Sequence, residues 1–147
     1  MLSDEAVIAR LNTDYVPVTI NLTDAGWPEN APALAPWQWG YDAWPFSKLG
    51  FVNALLCDPS GRLPYAWAGS GMKKEFEDSA NYHPALFLKF LDRADANREL
   101  VAGIHRSSLP VKERHRLIIA ILASEFGTTE DKVEWFIRKR MREDVLD

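Results

Sequence analysis

One thiol, three imidazoles, a run of aromatic rings and a basic helix end are the groups in this chain whose types could do chemistry. Cys57 is the single cysteine, so no intrachain disulfide or dithiol pair can form. It stands late in the apolar run Gly50-Phe51-Val52-Asn53-Ala54-Leu55-Leu56-Cys57. A nucleophilic thiolate wants an electropositive, partly exposed setting; none is visible in the nearby sequence, so a buried, inert thiol is expected. His83, His105 and His115 show no HExxH-type spacing and no cysteine partner. Surface or capping roles are expected for them, and no metal site. Asp and Glu are plentiful, but no spacing singles out an acid/base pair. There is no Gly-rich phosphate loop, and Gly69-Ser70-Gly71 reads as a strand exit. The expectation is a chain without catalytic residues, metal or cofactor.

Two groups of residues point to contact with other molecules. Residues 23–49 hold Pro28, Pro32, Pro36 and Pro45 together with Trp27, Trp37, Trp39, Tyr41, Trp44 and Phe46. So many prolines oppose regular structure, while the aromatics argue against disorder. These rings suit a satellite core over a sheet. The alternative is that Trp37, Trp39, Tyr41 and Trp44 bind a partner, because Trp and Tyr are enriched at interface hot spots. The second group is in the tail. Leu122 to Val133 resembles a helix-turn-helix pattern, with Ala123 in the first helix, Gly127 at the turn and Val133 in the second helix. Arg138, Lys139, Arg140 and Arg142 then make a basic end. Such a module lays its second helix in the major groove. Glu130, Asp131 and Glu134 at the start of that helix would repel phosphates. A structural hairpin is therefore preferred, with DNA binding as the alternative.

The elements that must position these groups follow from local pattern. Residues 3–12 read as an amphipathic helix, with Ser3 as N-cap and Asp4 and Glu5 suiting the helix start. Residues 15–22 are rich in β-branched side chains and read as a strand, Pro17 favouring its start or an edge. Residues 51–69 read as a β-hairpin around Asp58-Pro59-Ser60-Gly61. A helix is expected over 84–102, with Pro84 in its first turn and Gly103 as its stop. Two more are expected over 110–126 and 129–146. Gly127 separates them, Thr128 caps the second with Asp131 at the capping-box position, and Val133, Phe136, Ile137, Met141 and Val145 form its stripe.

Residues 3–70 resemble thioredoxin-like proteins of the spermatogenesis-associated type. The likeness rests on the stretch from Leu2 through Asp4, Val7, Leu11-Asn12 and Tyr15 to Val18, followed by Gly50-Phe51-Val52 and Pro59-Ser60-Gly61 in order and spacing. The resemblance implies a thioredoxin-like sheet closed by the hairpin. It also implies a CxxC helix start and a first strand, which would lie upstream of Met1. The family's cis-proline place is held by Val52, where a trans peptide is expected because a non-proline cis bond costs about 2.5–4 kcal/mol. Loss of the first strand would leave its neighbours unpaired. The gap would be filled by residues 15–22 pairing with 50–57, by the aromatic loop, or by another chain, with Trp37, Trp39 and Trp44 near such a contact.

Composition bounds the rest. With 147 residues, 47% of them hydrophobic, and a mean hydropathy of -0.23, the chain is long enough for one core. A net charge of -4 argues against a whole-chain polyanion binder. No stretch is apolar enough to span a membrane and no signal-peptide pattern opens the chain, so a soluble, cytoplasmic protein is expected. From Ile104 onward nine Lys and Arg face eight Asp and Glu, whereas residues 1–103 carry eight against thirteen. The expected architecture is α/β, a truncated thioredoxin-like domain over 1–103 and a helical extension over 104–147. The expected role is protein–protein interaction, as a homodimer or a structural subunit. The alternatives are a DNA-binding regulator or a fragment of a thioredoxin-like oxidoreductase with a misplaced start.

Overall fold

The computed structural model describes residues 3–17, 54–68, 83–140 and 143–147. These form a mostly helical α/β arrangement with one two-stranded antiparallel sheet. The first helix, α1, spans Glu5–Asp14. Its N-cap is Asp4, not Ser3, and the Asp4 carboxylate accepts from the N–H groups of Ala6 at 3.1 Å and Val7 at 3.2 Å. A carboxylate there satisfies two orphan donors and also opposes the positive helix end. Tyr15 leaves α1 in extended backbone. Val16 and Pro17 follow it without forming a strand; residues 18–22 of the expected strand lie outside the described residues, as do Val52 and the aromatic loop with Trp37, Trp39, Tyr41 and Trp44.

The hairpin forms as expected, from β1 (Ala54–Cys57) and β2 (Pro64–Ala68). Its register pairs Ala54 with Ala68, Leu55 with Trp67, Leu56 with Ala66 and Cys57 with Pro64, with an irregularity between Leu56 and Cys57. Pro64 has no N–H to give the ladder, which suits the strand's first residue. The connection is longer than the four-residue turn expected, because Asp58 organises all of it. Its Oδ1 accepts from the N–H groups of Arg62 and Leu63, both at 2.8 Å, and its Oδ2 accepts from Ser60 N–H at 3.2 Å. Gly61 takes the positive φ of 71° that the bend requires.

The long helix α2 spans Pro84–Arg106 and buries Phe87, Phe90, Leu91, Ala94 and Val101. It does not stop at Gly103. Val101 and the partly buried Ile104 carry its apolar face onward, and Gly103 does not take the left-handed conformation of a helix stop. The chain turns at Ser107, whose hydroxyl donates to Ile104 O at 2.6 Å, while Arg114 Nη1 donates to His105 O at 3.2 Å. Helix α3, Val111–Phe126, ends where expected. Gly127 has φ 59°, and Thr128 N–H bonds Ala123 O at 2.9 Å. This is the six-to-one bond of a Schellman cap.

Helix α4 covers Glu130–Arg140, and its first bonds run to Thr129 O, which puts Thr129 at the N-cap in place of Thr128. A separate 3-10 turn follows at Glu143–Leu146. The single α-helix expected over 129–146 thus does not extend over 143–146, which are 3-10. Both Val145 and Leu146 are buried. On one straight α-helix they would point about 120° and about 220° away from Val133, so both could not share its core. Phe136 and Met141 of the expected stripe fall outside the described side chains.

Two apolar clusters make the core. One joins Val7 of α1, Ala66 of β2 and Phe87, Phe90, Leu91 and Ala94 of α2. The other joins Leu63 and Val101 to Ile118, Leu122 and Phe126 of α3, Val133 and Ile137 of α4, and Val145 and Leu146. Tyr65 packs against both. The hairpin and the C-terminal helices thus share apolar contacts, and position 103/104 lies inside α2. No helix among the described residues is long and apolar enough to cross a membrane.

Candidate functional site

Cys57 ends β1 and is partly buried. Burial, with the nearby Asp58 charge adding to it, pushes its thiol up to about 12. At neutral pH such a sulfur stays protonated and is a poor nucleophile. His83 sits exposed at the α2 N-cap without a capping side-chain bond. The main chain of His105 takes the Arg114 bond described above, and His115 Nε2 lies 2.8 Å from Asp147 Oδ1. The three imidazoles therefore serve separate places. Among the described residues no group of three or more His, Cys, Asp and Glu is arranged to hold a metal ion.

Two polar clusters link the elements, and sequence reasoning missed both. The first joins α1 to α2. The Arg10 guanidinium contacts Asp95 and reaches Asp92 Oδ1 at 3.1 Å. Its Nε lies 2.6 Å from Asp14 Oδ2, a charge contact without hydrogen-bond alignment. Tyr15 Oη donates to Asp95 Oδ1 at 2.9 Å, and Arg98 Nη2 stands 3.2 Å from the same oxygen. Burial opposes ionisation of Asp95, but the Arg10 and Tyr15 hydrogen bonds and the Arg98 charge outweigh it and hold the carboxyl below its ordinary range. Burial, reinforced by the Asp95 bond, pushes the Tyr15 phenol up to about 12.

The second cluster ties α2, α3 and β2. Glu125 is buried on α3. It accepts from Arg93 Nε at 2.5 Å and from Asn97 Nδ2 at 3.0 Å, and Asn97 Nδ2 also donates to Tyr65 O at 2.7 Å. A buried carboxylate is tolerable only when its lone pairs are met in this way. The available signal was a Glu set within the apolar stripe Ile118, Leu122, Phe126. Its partners, 28 and 32 residues away, are fixed by packing alone.

The three positions of the helix-turn-helix pattern take distinct structural roles. Ala123 is buried between helices, Gly127 makes the left-handed turn and Val133 is fully buried. Opposite Val133 and Ile137, Trp135 is 51% exposed. Glu130, Asp131 and Lys132 are exposed at the start of α4. Of the basic end, Arg138 is exposed and holds Glu134 Oε1 through Nε at 3.1 Å and Nη2 at 2.7 Å. Lys139 and Arg140 belong to α4 but their side chains are outside the description, and Arg142 lies beyond it.

Comparison with protein-family models, with curated proteins and with solved structures finds no match.

Proposed function

We propose that this chain is a thioredoxin-like protein without dithiol chemistry that acts through protein–protein contact, as a binding protein or a structural subunit. The observation that carries the reading is the state of its thiol. The chain has one cysteine, and that cysteine is packed at a strand end with its pKa pushed up to about 12. A disulfide oxidoreductase needs the opposite, an accessible sulfur with a lowered pKa beside a second thiol. The antiparallel hairpin with α2 and α3 packed against β2 is compatible with the closing part of a thioredoxin-like sheet. Contact is favoured by large apolar side chains left in solvent, among them Val16, Leu100 and Trp135. The test is Ellman's reagent at pH 8. Native Cys57 is expected to react far more slowly than the urea-unfolded chain, and an equally fast native reaction would overturn the reading.

A second reading, DNA binding, is favoured by the left-handed Gly127 turn between α3 and α4 with Ala123 and Val133 buried beneath it. The exposed acids at the start of α4 weigh against it. A sequence-specific footprint that disappears on substitution of Arg138 and Arg140 would promote it above the first reading.

A further inference from the structure

We propose that the outward face of α2 around Gly103 is a self-association surface, on which the same face of a second copy packs antiparallel. This deepens the interaction reading by naming one partner. Phe87, Leu91, Ala94 and Val101 define the inward side of α2; at about 100° per residue, Gly103 projects to the opposite side. Glycine is among the costliest residues in a helix interior. Among the described residues nothing requires it, because a Cβ added at Gly103 would meet no described atom within 4 Å. What the missing side chain permits is close approach of another backbone from outside. Leu100, next to it on the same face, is 56% exposed.

Charge selects the occupant. Glu99 and Arg106 share one edge of that face, seven residues and roughly 10 Å apart along the axis. Glu99 is 68% exposed at its side chain and makes a long 3.9 Å contact to Arg98. Arg106 is exposed and has no ion-pair partner among the described residues. A two-fold axis passing near Gly103 sets Glu99 of each copy level with Arg106 of the other. It also brings Leu100 of each copy to within about 3 Å, along the helix axis, of the level of the other copy's Gly103. The contact is self-complementary, as an isologous dimer requires. Parallel pairing would instead oppose Glu99 to Glu99.

The test is sedimentation velocity of the full chain over a micromolar concentration series at low salt. A reversible monomer–dimer equilibrium is expected. Gly103→Gln should weaken it at least about tenfold without lowering the melting temperature measured on dilute protein. Glu99→Arg and Arg106→Glu, each alone, set like charges together and should weaken it by about tenfold or more. The double variant should return to within about threefold of the wild type, since it restores opposite charges. A wild type that stays monomeric, a dimer indifferent to Gly103→Gln, or a double variant as weak as the singles would each overturn the proposal. A monomer would still leave a heteromeric partner for the interaction reading, whereas a reactive Cys57 would remove that reading and leave this surface untouched.

Discussion

Glu125 shows what a single buried side chain does for the arrangement. It takes hydrogen bonds from Arg93 and Asn97, and Asn97 spends its other N–H on Tyr65 O, so one carboxylate fixes α3 against α2 and β2. Glu125→Ala removes the carboxylate that Arg93 and Asn97 share. A loss of about 2–3 kcal/mol is expected in urea unfolding; a change under about 0.5 kcal/mol, the scale of a surface substitution, would contradict the role. Asp95 works in the same way between α1 and α2, but its effect depends on pH. Its pKa is depressed in the fold, so its contribution is complete above the unfolded value of about 3.9. The contribution is lost as pH falls through the folded value. Asp95→Asn should therefore lower stability at pH 7 and flatten the acid limb below about pH 4, read from urea melts at both ends of that range. An unchanged limb would show that Asp95 does not hold α1. At this scale the sequence revealed the partial burial of Cys57, because the run that precedes it, Ala54-Leu55-Leu56, is apolar. It concealed Glu125 and Asp95, because their partners lie across the fold.

The helices show which stop signals act. Gly103 and Gly127 look alike as glycines after apolar stripes. Only Gly127 adopts a left-handed conformation, with φ 59°, and ends its helix. Gly103 stays helical because Val101 and Ile104 still face the core. The two should respond oppositely to alanine. Gly127→Ala is expected to cost about 1–2 kcal/mol through its left-handed backbone. Gly103→Ala, measured on dilute protein, should gain about 0.5–1 kcal/mol. Thermal melts of both variants give the comparison, and the same sign at both sites would contradict it. The hairpin was legible because Asp58, Pro59 and Gly61 are turn residues with a local mechanism. The 3-10 turn at 143–146 was not, because the packing of Val145 and Leu146 against distant residues decides it.

Across the whole molecule, the C-terminal turn closes the shared core. Val145 and Leu146 enter it beside Leu63 and Ile118, while Asp144 pairs with Arg62 at 3.5 Å and Asp147 with His115. Removing residues 143–147 should destabilise the hairpin and α3 together, in one transition. It should cost about 3–6 kcal/mol, given about 1.5–3 kcal/mol for each buried aliphatic side chain. Two separated transitions in a calorimetric scan would show that the hairpin and the helices do not share a core. Such sharing is invisible to local pattern, which reads the helices as an extension because their charge balance differs. The proposed role is contact with other proteins, without thiol chemistry. Insulin reduction with dithiothreitol tests it most directly. Turnover should equal the blank without protein, and turnover above the blank that disappears in Cys57→Ser would contradict the account.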